Sequence, residues 1–155
     1  MRLILLGLFV LCLQAPAQIL LRINDAAPVT ISTEDLAKLP RHNAALNDHG
    51  KQVNYEGVLL RDVLTKGGID VGQGLHGKQL STYVAAIAGD GYQVVYTLAD
   101  VDPTIADAGI IVADKREGQP LAPTEGPLRI VVPNDKRPAR CLKLLREIDV
   151  VQLRK

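Results

Sequence analysis

The stretch Gln52-Val53-Asn54-Tyr55-Glu56-Gly57-Val58-Leu59-Leu60-Arg61-Asp62-Val63-Leu64-Thr65-Lys66-Gly67-Gly68 changes its apolar period part-way. Gln52 to Val58 is an extended run, which Gly57 is expected to close. Leu59, Leu60, Val63 and Leu64 then recur at helical spacing, and Gly67-Gly68 stop the helix. Upstream, His42 to Leu46 is a second extended run, and Asn47-Asp48-His49-Gly50-Lys51 supplies the turn chemistry that joins the two as a hairpin.

Toward the N-terminus, Ile19 to Ile23 reads as a strand, Asn24 to Pro28 as a turn and Val29 to Ile31 as a short strand. Ser32 is an N-cap with Asp35 three residues on, Leu36 and Leu39 form the apolar face of that helix, and Pro40 ends it. Toward the C-terminus, Ile69 to Gln79 is a Gly-rich loop. Thr82 to Ala88 and Gln93 to Tyr96 are strands around the turn Gly89-Asp90-Gly91-Tyr92, and Thr97 caps a short helix before Pro103. Gly109 to Ala113 and Leu128 to Val132 are apolar enough to be buried strands, separated by a polar turn at Lys115 to Pro120. Pro138 to Leu145 is expected to be a helical turn with Pro at its first position, and Ile148 to Leu153 a closing strand. Many short strands with a few short helices describe an α+β domain whose core is largely β. There is no internal repeat, low-complexity segment or interdomain linker.

The first residues read as an address. Arg2, the apolar run Leu3 to Leu13 and the small-residue site Ala15-Pro16-Ala17 make residues 1–17 a secretory signal peptide and residues 18–155 the domain. The run is shorter than the ~20 apolar residues of a membrane helix, so the mature chain has no membrane span. The protein is expected to be exported, periplasmic or secreted. Removing Arg2 leaves cations and carboxylates in equal number, which argues against nonspecific nucleic-acid binding. It also leaves Cys141 as the remaining cysteine, so no internal disulfide forms and the core must hold the fold. With no Trp, and with the one Phe at position 9, that core rests on Leu, Val, Ile, Ala and four Tyr.

The histidines, His42, His49 and His76, have no short metal-ligand spacing, and no nucleophile-elbow, zinc-protease or Walker pattern occurs. Gly72 to Gly77 matches a dinucleotide fingerprint by letter but follows a helix, not a strand. Cys141 lies beside Arg140 and near Lys143, yet shares helical spacing with Leu144 and Leu145, so it is expected to face the core. Seven basic residues crowd Lys136 to Lys155, and seven acidic ones crowd Asp90 to Glu125. Lys136, Arg137 and Arg140 cluster at a turn after a buried strand. Cations and free backbone N–H groups together suit an anion there.

Five segments in this order resemble the sulfite oxidase-type molybdopterin-binding domain. They are Ser32 to Arg41, Tyr55 to Leu64, Asp90-Gly91-Tyr92, the run Gly118-Gln119-Pro120-Leu121 followed by Gly126 to Pro133, and Arg137 to Leu142. The resemblance implies that family's mixed α+β fold. It also implies basic pterin contacts near Arg137 and Arg140. Family enzymes hold molybdenum through one cysteine thiolate between the second and first of those segments, but here His42 to Glu56 contains no cysteine. Molybdopterin is therefore possible by resemblance, while the metal's thiolate ligand is missing and no metal site is expected. The reading that follows is a small exported binding module for a pterin-like, phosphate-bearing or carboxylate ligand, or for a protein partner, without redox turnover. Its contacts would be Lys136, Arg137, Arg140 and His49. The alternative is a molybdenum-cofactor-dependent oxidoreductase, with His49 or a partner subunit completing the site.

Overall fold

The structure, a computed structural model, describes residues 17–48, 50–72 and 74–153. The hairpin at its centre is β3 (Arg41–Asp48) paired with β4 (Lys51–Leu59), and α2 (Leu60–Lys66) follows directly. Before them come β1 (Gln18–Ile23), β2 (Val29–Ser32) and α1 (Thr33–Ala37). After them come β5 (Thr82–Ala88), β6 (Gln93–Thr97), α3 (Leu98–Val101), β7 (Ile111–Arg116), β8 (Gln119–Pro120), β9 (Arg129–Val131) and β10 (Leu145–Gln152). The strands form two five-stranded sheets. One runs β2-β1-β10-β5-β6, with β1 parallel to β10. The other runs β3-β4-β7-β8, with β9 also on β7.

Period-two alternation sends the side chains of each strand to opposite faces. Ile19, Leu21, Val84, Ala86, Ile148 and Val150 of the first sheet meet Val58, Val112 and Ile130 of the second in one buried cluster, sealed by Leu60, Val63 and Leu64 of α2. The opposite face of the second sheet carries a smaller cluster, with Ala44, Leu46, Tyr55, Ile111, Ala113 and Val131. Both expected caps form. Ser32 accepts from the Asp35 N–H, and Thr97 from the Asp100 N–H, each in a reciprocal capping box.

Some local expectations need correction. Gly57 does not close β4; it sits inside the strand beside a bulge, where a Cβ would come within 2.1 Å of the Val112 carbonyl oxygen. Lys115 to Pro120 is not all turn, because β7 runs on to Arg116 and only Glu117 and Gly118, both with positive φ, reverse the chain. Pro138 to Leu145 is not a helix. One 3₁₀ turn spans Pro138–Arg140, after which Leu142 exchanges backbone hydrogen bonds with Ile130. Pairing with a buried strand satisfies that backbone better than an isolated turn of helix would. Cys141 therefore packs half-buried against both apolar clusters, not along a helix with Leu144 and Leu145.

Candidate functional site

An arginine opens β9, between the buried Leu128 and Ile130. Burying a charge is unfavourable unless it is paired, and Arg129, only 5% exposed at its side chain, is paired several ways. Its Nη1 donates to the Tyr55 hydroxyl at 3.0 Å and lies 3.2 Å from Glu125 Oε1. Its guanidinium lies over the Tyr55 ring, 4.6 Å from the ring centre. Glu125 also holds Arg116 Nη1 at 2.9 Å and Lys143 Nζ at 3.7 Å. Burial pushes the Tyr55 hydroxyl up from its ordinary value, so it stays neutral at physiological pH. The pairing is incomplete: Arg129 Nε and Glu125 Oε2 are buried without hydrogen-bond partners.

Arg129 lines an open cavity of about 420 Å³, together with Leu46, Asp48, Tyr92, Cys141 and Lys143. Leu46 and Asp48 come from the end of β3. Tyr92 comes from the β5–β6 turn, and its hydroxyl donates to the Ala139 carbonyl at 3.4 Å across the cavity's side. Pro138 and Ala139 of the 3₁₀ turn form a further wall. Cys141 Sγ accepts the Val132 N–H at 3.4 Å, and burial pushes its thiol up from the ordinary range. It is a protonated, half-buried thiol at neutral pH, not an activated nucleophile. The lining brings a guanidinium, an ammonium, two carboxylates, a phenol and a cysteine around a space of ligand size.

The three clustered cations do not act together. Arg140 is claimed by Asp135, at 2.8 and 2.7 Å, with Asp100 at 3.5 Å. The Asp135 hydrogen bonds raise its pKa, and the Tyr96 hydroxyl donates to its carbonyl. Lys136 and Arg137 are exposed on the loop before the 3₁₀ turn, without an ion pair among the described residues. His49 lies outside the described residues. His42, at the other end of β3, lines a second open cavity of about 520 Å³ with the ion-paired Arg61 and Asp107. Among the described residues no group of three or more His, Cys, Asp or Glu side chains is placed to hold a metal ion.

Arg129, Glu125 and Tyr55 are not among the site residues expected from sequence, although Arg129 carries a signal there: Leu128 to Val132 has the apolarity of a buried strand, and a charge inside such a strand must find partners.

The model of the oxidoreductase molybdopterin binding domain matches residues 13–155. No curated protein matches the sequence. Among solved structures, the sulfane dehydrogenase SoxCD from Paracoccus pantotrophus is similar in fold, with a TM-score of 0.65 at 15% identity. The match covers 86% of this chain and 37% of that one, so the chain spans little more than a third of the neighbour's length. With the two-sheet fold and the family match in hand, the chain belongs to the oxidoreductase molybdopterin binding domain family.

Proposed function

We propose that this chain is an exported binding module that takes an anionic ligand in the cavity over Arg129, without redox turnover. The ligand is pterin-like, phosphate-bearing or a carboxylate. The observation that carries the reading is the pair of cations, Arg129 and Lys143, on the wall of one open cavity. Arginine is suited to planar oxyanions, and Lys143, 56% exposed, is free to turn from Glu125 toward a ligand. Lys136 and Arg137 add positive potential outside the cavity and steer an anion inward. Cleavage after Ala17 and export are part of the same proposal.

The donor chemistry does not fit a molybdenum centre. The interval from His42 to Glu56 offers no sulfur. The one thiol at the cavity is held protonated by burial and already accepts a backbone N–H. Soft thiolate ligation is what such a metal needs. One observation favours the alternative of a molybdenum oxidoreductase: Cys141 does line the cavity. Elemental analysis of protein from its own host decides between them, and about one molybdenum per chain would replace the binding reading. The direct test of binding is calorimetric titration with inorganic phosphate and with a phosphate monoester. The parent should bind, Arg129→Met should weaken binding about tenfold or more, the worth of one charge-assisted contact, and a parent that binds neither probe ends the proposal.

A further inference from the structure

We propose that two copies of this chain pair along β3, antiparallel and about a two-fold axis, so that the two sheets run on into one. The proposal goes beyond ligand binding and does not rest on it. β3 (Arg41–Asp48) is the outer strand of its sheet, paired with β4 on one side and with no strand on the other among the described residues. An open strand edge is a template for pairing with another chain unless it is blunted. The edges at β2, β6 and β8 are short, with four, five and two residues, the last including Pro120. β3 has eight residues in unbroken register with β4, and no proline, lysine or bulge interrupts it. The two open cavities meet this edge, one at His42 to Ala45 and the other at Leu46 and Asp48.

The main chain of β3 faces outward at alternate residues. Asn54 is the Cα partner of Ala45 across the hairpin. Yet the Asn54 N–H donates to Glu117 Oε1 at 2.6 Å, and its carbonyl accepts the Glu117 N–H at 2.8 Å, both away from β3. Antiparallel pairs alternate between hydrogen-bonded and non-hydrogen-bonded. Ala45 therefore turns its N–H and carbonyl to the open edge, and Asn43 and Asn47 do the same. All three residues are exposed. A two-fold axis normal to the sheet keeps side chains on their own faces only where odd residues meet odd and even meet even. Centred on Ala45, the ladder sets Asn43 against Asn47 of the second copy on one face. On the other it sets Ala44 against Leu46 and His42 against Asp48. Amide meets amide, apolar meets apolar, and imidazole meets carboxylate. Centred on Ala44 instead, the ladder sets His42 against Leu46, and centred on Leu46 it sets Asp48 against Ala44. The charge match selects the Ala45 register. A carboxylate accepts from several donors, so the imidazole and Arg116, at 3.9 Å, can share Asp48.

The full chain is expressed in its own host and purified as that host processes it. Sedimentation equilibrium then runs from about 10 μM to about 1 mM, the range in which an interface below standard size dissociates. The average mass should rise with concentration toward about twice that of one chain. Ala45→Pro removes an outward N–H at an edge position where proline is tolerated. It should leave circular dichroism unchanged and keep the protein monomeric throughout. Should that variant not fold, Ala45→Lys sets like charges opposite each other at the axis and should weaken association about tenfold or more. Cross-linking under mild oxidant reads the register, with the parent as the control for Cys141. Ala45 meets its own copy at the axis with Cα atoms about 5.5 Å apart, so Ala45→Cys should form a disulfide-linked dimer. Asn43 lies roughly 14 Å from its own copy, too far to bridge, so Asn43→Cys should not. A parent that stays monomeric across the range, as it would if β3 received a strand of a different protein, overturns the proposal. Self-association unmoved in a folded Ala45 variant overturns it too, as does cross-linking through Asn43→Cys as fast as through Ala45→Cys.

Discussion

The two faces of the sheet β3-β4-β7-β9 are built from neighbouring residues of the same strands, yet they are different environments. One face, with Val58, Val112 and Ile130, seals against the other sheet and holds apolar side chains. The other, with Ala44, Leu46, Tyr55 and Val131, also carries Arg129 and is left partly open under the Pro138–Arg140 turn. Ile130 and Arg129 are adjacent in sequence, and strand alternation alone sends one to each face. The sealed face supplies the hydrophobic stabilisation. The open face holds a polar cluster whose hydrogen bonding is incomplete.

That contrast can be broken at several points, beginning where the effect is largest. Ile130→Ala should lower stability by about 2–5 kcal/mol in urea unfolding, since it opens a cavity in the sealed face. Gly57→Ala should cost about 3 kcal/mol, because its Cβ meets backbone, and a strand cannot yield there as a flexible side chain would. Arg129→Met should cost only about 1–2 kcal/mol, less than its neighbour, because Glu125 keeps Arg116 and Lys143 as partners. If Arg129→Met proved the more damaging of the two, Arg129 would be a structural staple and the division between the faces would fail. Thr97→Ala, at a residue that does not line the cavity, should lose about 1 kcal/mol through its N-cap and leave phosphate binding unchanged.

The finest test uses acid. Asp102 is buried, and its carboxylate accepts from the Thr104 hydroxyl and N–H and from the Leu75 N–H. The Thr104 side-chain bond, first among these, pulls its pKa below the ordinary carboxylate value. A depressed native pKa stabilises the fold above the unfolded value, near 3.9, and that contribution is lost as pH falls through the native one. Stability should therefore drop below about pH 4, and Asp102→Ala should be less stable at neutral pH with a shallower acid limb.

Most of the sealed face was legible in the sequence. The switch of period at Leu59, the capping residues Ser32 and Thr97, and the hairpin around Asn47 to Lys51 are local signals, and local physics decides them. The role of Gly57 is not a local signal, because it is set by a carbonyl of β7, more than fifty residues away in sequence. The same holds for Pro138 to Leu145, where pairing with Ile130 overrides the helical start that Pro138 suggests. The open face was least legible. Lys136, Arg137 and Arg140 form a cluster in sequence, but Asp135 and Asp100 claim Arg140. Of the two cations that line the cavity, Arg129 comes from a strand where only pairing in three dimensions reveals its use.

The most direct measurement is one calorimetric series with a phosphate monoester on three proteins: the parent, Arg129→Met, and the double variant Lys136→Ala with Arg137→Ala. The parent should bind, and Arg129→Met should lose about tenfold or more in affinity. The double variant should lose no more than about threefold, as expected for charges that steer without contact. An Arg129→Met protein that titrates as the parent does, or a double variant that no longer binds, would contradict the assignment of the ligand to the cavity over Arg129.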